Sequence, residues 1–241
     1  YCKDSSPLKL MKYEYNPGGN LTARILCNPN TGEEIMREIF TYGDNNWKDL
    51  LTSVGGANIS YDTIGNPTNY LGMAMSWTAR RLNSVSMPNG TQISYSYSPD
   101  GIRLSKTVSG VKTEYGYADG LLVYIISGGE KAGIERDSEG NPLAMCYNGT
   151  QYSYIKNAQG DIMGIRNQKS GAIEYYKYNE LGELNGTYYE DGSSAFDHAA
   201  ANFNPLRYRG YVYDKETQFY YLNSRYYNPR FGRYINADSY M

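Results

Sequence analysis

The chain has 241 residues, 28 of them tyrosine and 26 glycine, and a formal net charge of −2 at pH 7. An aromatic content of 15% with only 20% charged residues excludes an intrinsically disordered chain, which needs the opposite composition. The near-zero net charge gives no general attraction to nucleic acid or anionic membranes, and no run of about 18 apolar residues predicts a membrane-spanning helix.

A repeated pattern begins near residue 13 and predicts a series of β-hairpins. Each copy joins a Tyr-x-Tyr pair to a turn former, then to a glycine and an aliphatic run, as in residues 95–104 and 176–184. Because strand side chains alternate between faces, both tyrosines lie on one face, and the glycine supplies the positive φ that the turn requires. The repeat-turn glycines are Gly19, Gly65, Gly101, Gly120, Gly140, Gly160 and Gly182.

The spacing of these glycines predicts how the hairpins associate. The last four intervals are 19, 20, 20 and 22 residues, which is the length of two strands and two turns. A single hairpin is marginally stable in water and must pair with its neighbours. The sequence therefore predicts an all-β fold in which the hairpins form one continuous antiparallel sheet without an internal domain boundary.

Helix signals are confined to two short stretches. Residues 47–51 allow a turn or two of helix within a degenerate copy of the repeat. Residues 193–202 predict a short helix with Ser194 as its N-cap and Asp197 three residues later.

The C-terminal residues depart from the repeat. Residues 208–214 alternate like a strand, residues 215–218 predict a turn, and residues 219–227 predict a second strand. Asn228 and Pro229 end that strand, and Phe231 begins a further element.

The C-terminal string RYRGYVYDKETQFYYLNSRYYNPRFGRYINAD resembles the RHS-repeat-associated core domain, and the hairpin repeats resemble YD repeats. The resemblance covers essentially the whole chain and is strongest to secreted or cell-surface RHS proteins of Gram-positive bacteria, with teneurins as more distant relatives. It implies a YD-repeat array over residues 1–203 and the start of the core segment over residues 204–241, in one continuous domain. The core-motif residues that it marks as structural are Arg207, Tyr208, Gly210, Tyr213, Asp214, Tyr220, Tyr221, Arg225, Tyr226, Tyr227, Pro229, Gly232 and Arg233.

The resemblance also implies a role. In this family the YD repeats coil as a spiral sheet that encloses a hollow shell, and the core segment turns inward and closes one end. The cargo is a polymorphic C-terminal effector, often a toxin of interbacterial competition, which an aspartic autoprotease in the core releases in several members. We therefore expect an extracellular structural segment whose partners are its own C-terminal effector region and the remaining repeats of the parent chain, although residues 1–10 lack a signal-peptide pattern.

The resemblance marks two residues as candidates for autoproteolysis, Arg233 and Asp238, and one residue, Gln218, as a candidate for backbone strain. Arg233 and Asp238 match the arginine and aspartate at the edge of the family's autoprotease, but an aspartic mechanism needs two carboxylates that share a proton. One matching carboxylate is present, so we expect no enzyme activity and interpret Arg233 as a hydrogen-bond donor at a sheet edge. Gln218 stands where relatives carry glycine, so a positive φ there would strain it.

Several aromatic and asparagine residues have competing interpretations. Trp47 and Trp77 could stack on sugars in an adhesion module that binds surface glycan or protein, or they could pack under turns. The basic and aromatic C-terminal residues could bind single-stranded nucleic acid, but cross-strand packing explains their alternation better. Asn148 and Asn185 match the N-glycosylation pattern and equally fit Asn-Gly turns.

Cysteine and histidine are scarce. Cys2, Cys27 and Cys146 fit neither a zinc ribbon nor a CxxC redox motif, and an odd number cannot all pair within one chain. His198 is the single histidine, so the sequence disfavours a histidine-rich metal site and Ser-His-Asp catalysis. We expect no cofactor and no metal site, a buried Cys146, and a packed or solvent-facing His198.

Overall fold

The computed structural model describes residues 10–237, and its fold is nearly all antiparallel β, which confirms the predicted fold class. Cys2 and Asp238 lie outside the described residues. Eighteen strands form one sheet in which each strand pairs antiparallel with the next strand along the chain. The strands are β1 Leu10–Tyr15, β2 Leu21–Cys27, β3 Glu34–Thr41, β4 Ser53–Val54, β5 Ala57–Tyr61, β6 Pro67–Tyr70, β7 Met73–Thr78, β8 Arg81–Ser86, β9 Gln92–Tyr97, β10 Arg103–Val108, β11 Val111–Ala118, β12 Leu121–Ser127, β13 Glu130–Arg136, β14 Pro142–Tyr147, β15 Thr150–Lys156, β16 Ile162–Asn167, β17 Ile173–Tyr178 and β18 Leu184–Tyr189.

All seven repeat-turn glycines lie on one edge of this sheet, which we call the repeat-turn edge. This edge carries the turns from each odd-numbered strand to the next even-numbered one. The seven glycines have φ between 74° and 90°, a conformation that a side chain would strain. Gly65 is constrained twice, because a Cβ there would also lie 2.6 Å from the Trp47 ring.

The residue just before each of these turns makes a second repeated contact. In most of these hairpins the strand register shifts at this position, as between Ile155 and Lys156, and the side chain turns toward the preceding hairpin. We call these positions the pre-turn residues. Six of them donate a side-chain hydrogen bond to a backbone carbonyl of the preceding hairpin, and we call this series the pre-turn ladder. Its bonds are Tyr42 to Leu21, Tyr61 to Leu51, Trp77 to Pro67, Tyr97 to Leu82, Arg136 to Leu122 and Tyr178 to Ile162.

The strip of hairpins curves until its first and last hairpins meet. The hydroxyl of Tyr13 in β1 donates a hydrogen bond to Glu180 in the turn after β17, 167 residues further along the chain. The face inside this curve is packed against residues 199–237, which we call the inserted segment. One hydrophobic core joins the two, and it runs from Phe40 of the sheet to Ile235 of the inserted segment.

The inserted segment contains one short helix and a second sheet. The helix α1 spans Ala199–Phe203, a 3₁₀ turn spans Tyr208–Gly210, and four antiparallel strands follow. These strands are β19 Val212–Asp214, β20 Phe219–Leu222, β21 Arg225–Asn228 and β22 Arg233–Tyr234.

The helix predicted for residues 193–202 is shorter in the structure, and the stretch at residues 47–51 is a turn rather than a helix. Helix α1 begins at residue 199 rather than 193, and its N-cap is His198, whose Nδ1 accepts the Ala201 N–H at 3.2 Å. Ser194 instead forms a β-bridge with Tyr188, so residues around it continue the hairpin. Residues 47–51 form a single turn, in which the Leu50 N–H donates to the Trp47 carbonyl at 3.0 Å.

The two predicted C-terminal strands are each interrupted. Residues 208–214 divide into the 3₁₀ turn and β19, because Arg209 and Gly210 have φ of 55° and 68°. Residues 219–227 divide into β20 and β21, because Asn223 has φ of 61° and starts a tight turn. Gly210 at the first break and Asn223 at the second are residue types that tolerate this conformation, so both breaks follow local turn chemistry that the hydrophobic alternation concealed.

Candidate functional site: the seam between the sheet and the inserted segment

A buried ion cluster connects β10 to the inserted segment. The register of β10 shifts between Arg103 and Ser105, so Arg103 and Lys106 both point to the inner face despite their odd spacing. Asp214, at the end of β19, lies between them: Arg103 Nη1 is 2.5 Å from Oδ2, and Lys106 Nζ is 3.1 Å from Oδ1. Lys106 Nζ also lies 2.6 Å from Glu216 Oε2.

The pairing favours the charged forms of Arg103, Lys106 and Asp214 inside the protein. Arg103 and the side chain of Asp214 are 0% and 1% exposed. Burial opposes ionisation of Asp214, but Arg103 and Lys106 outweigh burial and hold the pKa of this carboxyl below its usual value. Burial likewise opposes the charge on Arg103 and Lys106, yet Asp214 raises the pKa of both groups above their usual values. Removing one partner would therefore leave an uncompensated buried charge.

Tyrosine rings surround the guanidinium of Arg103. Its Cζ lies 4.2 Å from the ring centre of Tyr221, 4.8 Å from Tyr115 and 5.5 Å from Tyr95. Nε and Nη2 of Arg103 have no hydrogen-bond acceptor, so the rings provide the remaining contact to the cation. Tyr221 comes from the inserted segment, and the other two rings come from β9 and β11, so the cage forms only when the segment is in place.

Further tyrosines attach the inserted segment around the repeat-turn edge. Tyr220 and Tyr227 donate their hydroxyls to the carbonyls of Gly182 and Leu181, at 2.8 and 2.9 Å. The ring of Tyr208 packs on Gly182, where a side chain would collide with it. On the inner face of the sheet, the hydroxyl of Tyr226 lies 2.9 Å from that of Tyr97. These contacts reach both β9 and the last turn of the sheet, so the segment spans the curve.

Arg207 fixes the entry of the inserted segment. It is 4% exposed, and its Nη2 donates to the Ala201 carbonyl at the end of α1 at 2.6 Å, where cations are favoured. Its Nη1 donates to the Leu206 carbonyl at 3.0 Å, and its Cζ stacks 3.9 Å from the Tyr176 ring centre. Arg207 therefore holds the helix, the following chain and β17 together.

Of the two autoprotease candidates, Arg233 lies within the described residues and Asp238 lies outside them. Arg233 donates to the Tyr42 hydroxyl at 3.0 Å and to the Asp49 carbonyl at 3.1 Å, so it joins β22 to the chain after β3. Pro229 and Gly232 lie in the turn that leads to it, and Gly232 has φ of 65°. Within residues 10–237, no group of three or more His, Cys, Asp or Glu is arranged to hold a metal ion.

The other singled-out residues have structural surroundings. Trp77 is a member of the pre-turn ladder, and its ring meets Tyr226 edge-on at 6.2 Å. Trp47 packs on the Gly65 turn. Asn148 has φ of 46° in the Asn-Gly turn between β14 and β15, whereas Asn185 lies inside β18 rather than in a turn. Cys146 is partly exposed rather than buried, because it points to the outer face of β14, and Cys27 is the buried free cysteine.

His198 has an acidic partner that the sequence did not indicate. Its Nε2 lies 3.3 Å from Glu174 Oε1, and the rings of Tyr152 and Tyr189 flank it at 6.4 and 6.1 Å. Glu174 is 1% exposed, and its Oε2 has no hydrogen-bond partner. Burial raises the pKa of this carboxyl, and His198 only partly offsets the effect.

Sequence reasoning missed the sheet side of the seam. It selected Asp214, Tyr221 and Tyr226 from the C-terminal string, but not Arg103 or Lys106. The sequence does show a cation, Arg103, next to the Gly101 turn, and a second cation, Lys106, three residues later in the same predicted strand. In a regular strand two residues three positions apart point to opposite faces, so this pattern indicates two buried cations only when the β-bulge between Arg103 and Ser105 is known.

Comparison with known proteins identifies sequence relatives of this chain. No family model matches the chain. The chain is 34% identical over 201 residues to the tRNA3(Ser)-specific nuclease WapA of Bacillus spizizenii, and 35% identical over 201 residues to the tRNA nuclease WapA of Bacillus subtilis. Each match covers 80% of this chain, and the chain spans 8% of the length of these curated relatives.

Solved structures show the same architecture. The crystal structure of TcdB2-TccC3-Cdc42 matches 95% of this chain and 12% of that chain, with a TM-score of 0.70 and 19% identity. The crystal structure of TcdB2-TccC3 without its hypervariable C-terminal region matches 96% of this chain and 12% of that chain, with a TM-score of 0.54 and 18% identity. The fold of this chain, a curved sheet of hairpins with an inserted C-terminal segment, is therefore shared with a part of each of these solved structures. The chain belongs to the RHS/YD-repeat proteins.

Proposed function

We propose that this chain forms and closes one end of a protein shell that encloses a C-terminal effector region of its parent protein. The observation that carries the proposal is the ionic attachment of the inserted segment to the inner face of the sheet through Arg103, Lys106 and Asp214. A closing segment must resist being pushed out, and the buried pair, the tyrosine cage and the carbonyl contacts at the repeat-turn edge all oppose that movement.

The proposed role of this segment is structural, and the segment itself performs no catalytic step. Arg233 is engaged with Tyr42 and the Asp49 carbonyl, which is a bracing contact between the inserted segment and the sheet. Self-cleavage of the purified chain, followed by intact mass, tests this part. A single cut that disappears in Asp238→Asn would contradict it.

We place the shell outside the cell, with the remaining repeats of the parent chain continuing the sheet. No helix within residues 10–237 is long and apolar enough to cross a membrane. The effector is the polypeptide that follows the shell, and by analogy with the WapA relatives its class is a toxin such as a nuclease.

Protease protection in the full-length parent protein tests the enclosure. We expect residues C-terminal to this segment to resist added protease in the wild type and to become sensitive in Asp214→Asn, because the neutral amide leaves Arg103 without a counter-charge. Asp119→Asn is the matched control, since Asp119 is exposed and asparagine suits its φ of 50°. Rapid digestion of the C-terminal region in a wild-type protein whose sheet remains intact would contradict enclosure.

A further inference from the structure

The pre-turn ladder has two gaps, and both lie in the same part of the sheet. In β11 the pre-turn residue is Tyr117, whose hydroxyl is buried and has no hydrogen-bond partner. In β15 the pre-turn residue is Lys156, which is exposed and makes neither a hydrogen bond nor an ion pair within residues 10–237. Departures from an otherwise repeated local rule are where functional sites are expected.

Both of these pre-turn residues line one cleft between the repeat-turn edge and the inserted segment. The cleft has a volume of about 770 Å³, within the range of ligand-binding sites. Three consecutive hairpins line one wall, through Tyr117, Arg136 and Lys156. The inserted segment lines the other wall, with Tyr211 and Tyr234 among its aromatic residues.

The cleft is basic. Its charged lining residues are Arg136, Lys156, Arg209, Arg225 and Glu139. Arg136 donates to the carbonyls of Leu122 and Gly140 and forms no ion pair within the described part of the chain. Asp137 interacts electrostatically with both Arg136 and Lys156, but neither cation forms an ion pair at contact distance within residues 10–237. Because four cations and one carboxylate line the cleft, it attracts anionic groups.

The spacing of these two cations indicates the shape of the anionic ligand. The backbones of Arg136 and Lys156 occupy equivalent positions in β13 and β15, which are two strands apart, so their Cα atoms are separated by about 9.5 Å. A polyproline II helix repeats every three residues, or about 9.3 Å, whereas a β-strand repeats a face every ~6.7 Å. From β11 to β15, the strands that carry the three pre-turn residues of the cleft, the sheet extends over about 19 Å, which is about six residues of such a peptide.

From this geometry we propose that the cleft binds an acidic peptide segment of a partner protein in the polyproline II conformation, with carboxylates at every third residue. Arg136 and Lys156 pair with two successive carboxylates, and the tyrosines of the two walls contact the peptide between them. Aromatic-lined grooves are a general means of binding polyproline II segments.

Peptide titration on the 241-residue chain tests this proposal. The probe is a fluorescent peptide with three Asp-Pro-Pro units, and the comparison peptides are Asp-Pro repeats of equal length and Lys-Pro-Pro repeats. We expect saturable binding of the first peptide only. Lys156→Glu should weaken it by about tenfold, and added salt should weaken it further. Lys131→Glu, which reverses an exposed lysine of β13 outside the cleft, should leave the affinity unchanged.

Other outcomes would overturn the proposal. Equal binding of the Asp-Pro peptide would show that carboxylate spacing does not matter. An equal loss in Lys131→Glu would show general charge attraction. Displacement by inorganic phosphate or by AMP at a concentration below that of the peptide would show a site for small phosphates. Absence of binding at millimolar peptide by the folded chain, checked by circular dichroism, would rule out the site.

Discussion

At the scale of single residues, Arg103 shows how one buried charge can fix the position of a distant segment. Its partner Asp214 is 111 residues away, and neither side chain is accessible to water. The pair need not make the fold more stable than a well-packed apolar pair would, because burying both charges is costly. Its consequence is specificity: any position of the inserted segment that moves Asp214 away leaves Arg103 and Lys106 buried and unpaired.

We expect Asp214→Asn to lower the free energy of unfolding by about 3–5 kcal/mol, the cost of leaving one partner of a buried ion pair unmatched. Urea denaturation followed by tyrosine fluorescence measures the change. Asp119→Asn, at an exposed turn, should change it by less than about 0.5 kcal/mol. A loss in Asp214→Asn no greater than that of the control would mean that the pair has little effect on folding.

Gln218 carries strain that glycine would relieve. Its φ is 60°, its side chain is exposed, and its N–H donates to the Asp214 carbonyl at 2.7 Å in the turn between β19 and β20. Gln218→Gly should raise stability by up to about 1 kcal/mol, because relief of strain exceeds the entropy lost with glycine. Lys215→Gly, in the same turn but without a positive φ, should lower it. Lower stability in both variants, measured by urea denaturation, would show that Gln218 is unstrained.

At the scale of elements, the pre-turn ladder explains why this chain uses tyrosine rather than another aromatic residue. A phenylalanine would fill the same space, but only a hydroxyl, an indole N–H or a guanidinium reaches the carbonyl of the preceding hairpin. Tyr61, Trp77 and Arg136 show the three solutions at equivalent positions. Each bond joins neighbouring hairpins next to the turn, where their backbone pairing ends.

The ladder predicts a graded response to loss of hydroxyls. Tyr178→Phe should lower the free energy of unfolding by about 0.5–1.5 kcal/mol, because it removes the 2.8 Å bond to the Ile162 carbonyl while keeping the ring. Tyr175→Phe, in the same strand and with no such ladder bond, is the control and should be close to neutral. Equal effects in the two variants would mean that the ladder contributes nothing beyond ring packing.

The local parts of this fold were predictable from the sequence, and the non-local parts were not. The turn at Gly182 follows from residues within a few positions of it, because Asn179 and the glycine define its geometry together. The pairing of Arg103 with Asp214 depends on a β-bulge and on the path of a segment more than a hundred residues later. The break at Asn223 was concealed because the aromatic alternation continues on both sides of the turn.

At the scale of the whole molecule, two buried carboxyls give opposite dependences of stability on pH. The folded-state pKa of Asp214 lies below its usual value, so its contribution is complete above about pH 4 and is lost as the pH falls through the folded pKa. The folded-state pKa of Glu174 is raised by burial. Its protonated form is therefore favoured in the folded protein, and the stability that this gives is lost as the pH rises through the folded pKa.

Glu174→Gln should therefore stabilise the protein at pH 7.5 and lose this advantage toward pH 4.5. The wild-type side chain is 1% exposed, its neighbour at contact distance is the His198 ring, and one of its oxygens has no hydrogen-bond partner within residues 10–237. The amide avoids burying that charge, which should raise the melting temperature by about 2–4 °C for a gain of about 1 kcal/mol. Glu114→Gln, at an exposed salt bridge with Lys112, should show no such dependence. A lower melting temperature for Glu174→Gln at pH 7.5 with no difference at pH 4.5 would instead show that its pairing with His198 outweighs the cost of burial.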